Sequence, residues 1–333
     1  MTGPHPSSLS TRAHSPALLL ILLLGAVLAV DAFGPPIVPQ DAFQTWVSLL
    51  VGVTVQALPF LVLGVALSAA LTVFVPETAL LRYLPRRKAV AVPVVAVSGM
   101  ALPACECASV PVANSLLRKG LPPAAALAFM LASPAINPVV LVSTAVAFTG
   151  QPAMVWARFA ASLAVACLVG WLWRGSLKAA RSGDHDHAHH GADTSRADAF
   201  RAAFIHDFLN SAGFLAIGAA IAATLKVFIP PAALQVLADN WWLAILVMAA
   251  LAVLMALCSE ADAFIAASFT FVSPTAQLVF MVVGPVVDTK LIAMQYGAWG
   301  RKFVVRFVPF VLVVAVGMAM LVGWLVFGLG SAT

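Results

Sequence analysis

Runs of apolar residues long enough to cross a bilayer dominate this chain. The stretches Ala17 to Val30, Trp46 to Val75, Pro122 to Phe148, Ala153 to Trp173, Phe208 to Ile229, Trp241 to Leu257 and Phe303 to Phe327 mostly approach or exceed the roughly 20 residues that a helix needs to cross about 30 Å of hydrocarbon. With 62% apolar and only 9% charged residues, one soluble core could not hide these runs. Lipid is therefore the expected solvent. Helices are the expected elements, because a lipid-exposed backbone must satisfy its own hydrogen bonds. The net charge of +5 does not signal a nucleic-acid partner, since the basic residues sit at the ends of apolar runs, where they orient a chain in the membrane.

The chain resembles itself. Phe60-Leu-Val-Leu-Gly64 through Val73-Phe-Val-Pro76 recurs as Phe214-Leu-Ala-Ile-Gly218 through Val227-Phe-Ile-Pro230, 154 residues on. Phe129-Met130, Pro134 and Asn137 recur as Phe280-Met281, Pro285 and Asp288, 151 residues on, and the same offset carries Cys107 onto Cys258. Matching blocks in the same order read as a duplication. The division that follows is an N-terminal helix and outer loop at 1–45, signal-like in pattern but retained, a first repeat at 46–173, a His/Asp-rich linker at 174–206 and a second repeat at 207–333.

Between Ala89 and Leu117 the sequence carries Pro93, Gly99, Pro103 and Pro111 around the polar Cys105-Glu106-Cys107. A straight lipid-facing helix tolerates such interruptions poorly, so a broken, re-entrant hairpin is expected. Charge supports the hairpin: it returns Arg118 and Lys119 to the face that carries Arg86, Arg87 and Lys88. With the N-terminus and the 174–206 loop inside, 15 of the 18 Lys and Arg residues then lie on the cytoplasmic side of the inner membrane. Arg158 and Lys226 fall near the outer face and Lys290 within the membrane. With a second such hairpin, three full crossings separate the starts of the two copies. The expected fold is thus an all-α polytopic membrane protein with about seven full transmembrane helices, two broken hairpins and two inverted repeats, an arrangement common in secondary transporters.

Polar residues inside the apolar runs are the candidates for function. Cys105 and Cys107 flank Glu106, and Cys258 occupies the repeat-related position; thiols suit soft, thiophilic centres. A tetrahedral structural zinc site would need a fourth ligand that the sequence does not place nearby. Cys167 stands alone in an apolar helix and reads as packing. Glu260, Asp262 and Asp288 join Glu106 as intramembrane carboxylates that require pairing, water or a proton. Lys290, taken as the one intramembrane cation, is expected to pair with Glu260 or Asp262. Asp288 and Lys290 are the candidates for coupling transport to protons. Asn114 and Asn137 complete the polar set, the latter in Ser133-Pro134-Ala-Ile-Asn137-Pro138, where it either caps a break or meets solute. His185, His187, His189 and His190 make a weak metal-binding candidate, read first as solvated linker.

The segments Pro103-Ala-Cys105-Glu-Cys107-Ala-Ser-Val-Pro111-Val, Leu117-Arg-Lys-Gly120 and Phe129-Met-Leu-Ala-Ser-Pro134-Ala-Ile-Asn137-Pro138 resemble the ArsP-like predicted permease family. So do Cys258-Ser-Glu260-Ala-Asp262-Ala-Phe264 and Gly284-Pro285-Val-Val-Asp288-Thr-Lys290. The resemblance implies a cytoplasmic-membrane permease, with relatives that export trivalent organoarsenicals such as methylarsenite. Members often carry serine where this chain has Glu106. The expected function is a non-enzymatic secondary transporter without a cofactor, since no Walker-type glycine-rich loop with lysine is present. Its expected partners are the bilayer, a small-molecule or metalloid solute and protons. Two other readings are a membrane thiol-disulfide oxidoreductase using Cys105 and Cys107 and a membrane scaffold or assembly partner.

Overall fold

The computed structural model describes residues 40–74, 87–101, 105–173, 196–228, 241–270 and 272–328. The N-terminal run, Pro103 and the His-rich stretch with His185, His187, His189 and His190 lie outside the described residues. Within them the protein is all-helical. The helices are α1 (Gln40–Phe74), α2 (Lys88–Ser98), α3 (Glu106–Arg118), α4 (Pro123–Ile136), α5 (Pro138–Ala147), α6 (Pro152–Leu172), α7 (Arg196–Phe228), α8 (Trp241–Met255), α9 (Asp262–Ser268), α10 (Pro274–Val283), α11 (Thr289–Trp299) and α12 (Arg301–Phe327). Five segments are long and apolar enough to cross a membrane: α1, α4 with α5, α6, α7 and α12. At 15 residues, α8 falls short of a crossing that the sequence had suggested. Helix α7 begins at Arg196, so the last part of the expected 174–206 linker is helical.

The segment from 88 to 118 is broken at its glycine, α2 passing through a 3-10 turn at Gly99–Ala101 before α3 begins at Glu106, while Pro93 and Pro111 are held inside α2 and α3. Val92 of α2 and Ala124 of α4 meet at Gly170, and Gly99 lies against Ser133, so α2 and α4 run in the same direction. Helix α3 joins α4 through a tight turn in which the Gly120 and Leu121 amides donate to Leu117 and Leu116. It therefore runs opposite to α4, and α2 and α3 form a hairpin.

A second hairpin follows the same logic. Thr289 Oγ1 donates to the Val253 carbonyl at 2.9 Å, placing the end of α8 just beyond the end of α10. Gln277 Nε2 donates to the Phe269 carbonyl at 3.0 Å, placing the end of α9 at the start of α10. Helix α8 thus runs with α10 and α9 against it.

The two halves share their punctuation. Asn137 N-caps α5 by accepting from the Val140 amide at 2.9 Å, and Asp288 N-caps α11 by accepting from the Leu291 amide at 2.5 Å. Each lies three residues beyond a proline, Pro134 in the last turn of α4 and Pro285 just past the end of α10, where the missing amide weakens the ladder. Helices α1 and α7, which carry the matching Phe60 and Phe214 blocks, run antiparallel: Trp46 bonds Thr224, Ser68 bonds Asp207, and the Phe74 and Phe200 rings meet. Helices α6 and α12 also oppose, with the Trp173 ring against Phe303 and Phe307.

Two repeat-related glycines set the closest approaches. A Cβ on Gly64 would sit 2.4 Å from the Ala108 Cβ, and one on Gly218 would sit 2.7 Å from the Lys290 Cα. Helix α1 thereby closes on α3 and α7 on α11, the two helices that carry Glu106 and Lys290.

Opposing ions join the halves. Arg158 of α6, expected near the outer face, is fully buried and donates to Thr144 Oγ1 at 2.8 Å, the Ser259 carbonyl at 3.0 Å and Asp262 at 2.8 Å. The charged head is tolerated there because a counter-ion and two hydrogen-bond acceptors replace water around it, which a charge count cannot register.

Two outcomes test these contacts. Gly218→Val is expected to destabilise the protein by about 1–3 kcal/mol through overpacking, whereas Gly52→Ala, which meets open space, leaves the midpoint of unfolding in detergent unchanged. Arg158→Gln is expected to cost about 3–5 kcal/mol by leaving Asp262 buried without its partner. Adding Asp262→Asn to it should cost less than the two single changes summed, and additive losses would show that the pair is not coupled.

Candidate functional site

The tips of the two hairpins meet. Cys105 is the N-cap of α3 and Glu106 its first residue, an orientation that puts the thiols and the carboxylate at the buried end of the hairpin. From the other side comes the turn Cys258–Ala261, closed by the Ala261 and Asp262 amides donating to the Cys258 carbonyl. Just before this turn Ala256 adopts φ of 45°, a left-handed conformation that is rare for a residue with a Cβ and redirects the chain after α8.

Cys105, Cys107 and Cys258 are buried and free, and they line one cavity with Glu106, Lys290 and, from α1, Val53, Gln56 and Ala57. Cys105 lies within interaction range of both other thiols. The three-thiol cluster expected from the repeat is therefore assembled. Among the described residues no group of three or more His, Cys, Asp and Glu side chains is arranged to hold a metal ion. Cys167 is buried elsewhere on α6.

Lys290 does not pair with Glu260 or Asp262. Its Nζ donates to Glu106 Oε1 at 2.9 Å and lies 3.8 Å from Asp288 Oδ2. Glu106 Oε2 accepts from Ser259 Oγ at 3.0 Å, and the Ser259 carbonyl accepts from Arg158. A continuous set of buried polar groups thus runs from Asp288 through Lys290, Glu106 and Ser259 to Arg158 and Asp262. Both ion pairs are nearly sealed, with side-chain exposures of 3% and 1% for Lys290 and Glu106, and 0% and 3% for Arg158 and Asp262. In each, the first residue of a hairpin-tip helix meets a cation from the other half. The expected partners, Glu260 and Asp262, share the second repeat with Lys290, whereas the acid that reaches it is Glu106, set between the two thiols at the tip of the other half's hairpin. Asp288 precedes the helix, and its carboxylate folds back over the first turn to lie beside Lys290.

The remaining candidates divide. Asp262 belongs to the Arg158 pair, and half-buried Glu260 adjoins Cys258. Asn137 is fully buried as a cap, its Nδ2 also donating to the Ser133 carbonyl at 3.3 Å, so its position answers to the backbone break. Asn114 lies two turns along α3 from the thiols and lines a different cavity. Sequence reasoning missed Arg158 and Ser259. For Arg158 the signal was an arginine inside a long apolar run; for Ser259, only its place within the Cys258 motif.

The chain matches a family described as ArsP_1, predicted permease, over residues 42–324. It is 34% identical over 289 residues to UPF0718 protein YcgR of Bacillus subtilis (strain 168), covering 85% of this chain and 98% of that protein. It is also 31% identical over 282 residues to a putative two-component membrane permease complex subunit of Streptococcus mutans serotype c (strain ATCC 700610 / UA159), covering 81% and 92%. No solved structure matches the chain. A multi-helical chain with buried ions where its two hairpins meet, matched to that family across its described helices, belongs to the ArsP_1 predicted permeases and is a multi-pass membrane permease.

Proposed function

We propose that the protein is a secondary transporter of the inner membrane that exports a soft, thiol-reactive solute, with trivalent organoarsenicals such as methylarsenite as the cargo class. One observation carries the reading: three free thiols line a single cavity at the meeting point of two hairpin tips. In that cavity a methylarsenite exchanges its two hydroxyls for two cysteine sulfurs. Two As–S bonds form, two As–O bonds break, and the thiol protons leave with the hydroxyls as two waters, without oxidation or reduction.

Alternating access follows from treating the halves as inverted repeats. The antiparallel pairing of α1 with α7 and of α6 with α12 supports that relation, since a parallel repeat would align the matching helices. In this structure α1 packs on α3 and α7 on α11. Exchanging the roles of the halves would put α7 on α9 and α1 on α5. Lys290, held between Glu106 and Asp288, is the element through which protons couple to that exchange: a change of partner alters which acid needs a proton. The N-terminus and the 174–206 loop face the cytoplasm.

A second reading, transport only as one subunit of a larger complex, draws on the description of the Streptococcus mutans relative. Transport by the purified chain alone in proteoliposomes decides between the two.

Three outcomes test the proposal. A Cys105→Ser/Cys107→Ser variant is expected to insert normally yet lose methylarsenite resistance in a sensitive host; undiminished resistance removes the thiols from the mechanism. Asp288→Asn is expected to abolish the response of vesicle transport to an imposed proton gradient, and parental transport that still follows the gradient defeats the coupling role. In a background without native cysteines, Ser68→Cys with Ser115→Cys, whose hydroxyls lie 2.7 Å apart, should cross-link in the state described. Ala222→Cys with Ala266→Cys, the pair at the repeat-related positions, should cross-link in the exchanged state. A transporter that never forms the second bridge does not alternate in this way.

A further inference from the structure

Beyond the thiol cavity, the molecule holds a second concave site that is polar where its surroundings are apolar. It is lined by Asn114 of α3, Asp207, Asn210 and Ser211 of α7, and apolar residues of α3, α7 and α11. Asn210 and Ser211 fall three and four residues after Asp207, so both share its face of a helix that is otherwise apolar enough to cross a membrane. Amide, hydroxyl and carboxylate groups inside such a span are costly against lipid and persist where they meet water or a polar solute.

The position of this cavity gives it a direction. The thiol cavity takes Cys105 to Cys107 from α3 and Lys290 from α11, and the second takes Val110 and Asn114 from α3 and Met294 and Ala298 from α11. The two therefore stack along one seam between α3 and α11, about one to two helical turns apart.

At the end of the seam away from the thiols, Arg118 donates to Asp207 Oδ2 at 3.0 Å and to Ser115 Oγ at 2.8 Å, and Ser68 bonds both Ser115 and Asp207. This pair differs from the Glu106–Lys290 and Asp262–Arg158 pairs: its side chains are 21% and 14% exposed, Asp207 also meets the exposed His206 ring at 3.4 Å, and the two hairpin-tip pairs are nearly sealed. Solvent reaches it, and an ion pair that solvent reaches exchanges partners at little cost.

We propose that the Asn114–Asp207–Asn210–Ser211 cavity is an access site on the path to the thiols. It receives a small hydroxyl-bearing solute by hydrogen bonding before sulfur exchange, and the Arg118–Asp207 pair is its latch. The assignment rests on the transport reading for its cargo, but its geometry stands apart from which solute is carried. The site binds the oxygen-coordinated form of the solute, and the thiols bind the form that has shed water.

The test follows the reactivity of Cys105 and Cys107 in the full chain in proteoliposomes, using a small negatively charged methanethiosulfonate. Cys167, buried on α6 away from the seam, reports in the same sample whether the fold is intact. Asp207→Asn is expected to raise the modification rate of Cys105 and Cys107 about fivefold, the scale of losing one partly exposed ion pair, with Cys167 unchanged. Asn210→Leu/Ser211→Leu, which fills the cavity with apolar groups, is expected to slow it by a similar factor. The charge exchange Arg118→Asp/Asp207→Arg restores the latch and should return the parental rate. Rates within twofold of the parent in the Asn and Leu variants, with Cys167 protected, overturn the proposal. So does a charge exchange that leaves Cys105 and Cys107 fast while Cys167 stays protected. Should Asp207→Asn also expose Cys167, the charge exchange alone decides the latch. If methylarsenite fails to protect the parental thiols while these shifts persist, the cargo reading falls and the access path stands.

Discussion

Charge inside an apolar medium must be neutralised where it sits, and this protein satisfies that constraint at the place where its halves touch. Glu106 meets Lys290 and Asp262 meets Arg158, each pair joining a hairpin tip of one half to a helix of the other. The desolvation of four ions is offset by counter-ions at 2.8–2.9 Å and by bonds from Ser259 to Glu106 and from Arg158 to Thr144 and the Ser259 carbonyl. Neither hairpin can withdraw without stranding a partner. The ion pairs thus set the relative position of the halves more sharply than the apolar contacts around them, which are non-directional.

The broken helices follow from the same requirement. An unbroken helix would carry its polar side chains past the middle of the membrane in a spiral and could not gather them. Ending a helix at mid-depth turns free amides and a cap inward. Asn137 and Asp288 occupy such ends, and the difference between them matters: the amide is content as a cap, while the carboxylate also lies beside Lys290. The duplicated scaffold has diverged where chemistry is needed and kept its prolines where geometry is needed.

Close packing then decides which seam is open to chemistry. Gly64 and Gly218 bring α1 onto α3 and α7 onto α11, covering the seam that holds the thiols, Lys290 and the second polar cavity. Without a Cβ at these positions the helix axes come within reach of backbone contact, as small residues permit in membrane bundles. The seam between α5 and α9 receives no comparable cover from α1 or α7 among the described residues, so the two halves are alike in sequence order but unequal in environment.

Much of this was legible in the residues. Apolar length gave the spanning helices, Gly99 and the polar run at Cys105 marked the break while Pro93 and Pro111 sit within the helices on either side, and the recurrence of Cys107 as Cys258 gave the convergence of thiols, because each depends on local backbone rules or on one symmetry. The pairings were not legible. Lys290 could be assigned to Glu260 or Asp262 on charge alone, and Arg158 looked peripheral from its place near a helix start. Which acid meets which base depends on how far each hairpin reaches and how its helix is rotated, and those follow from packing across residues more than a hundred positions apart. The sequence by itself determined the medium, the helices and their interruptions, since these answer to solvation and to proline; the tertiary structure alone decided the partners of the buried ions, since a charge is neutralised by whatever the completed fold brings within about 3 Å of it.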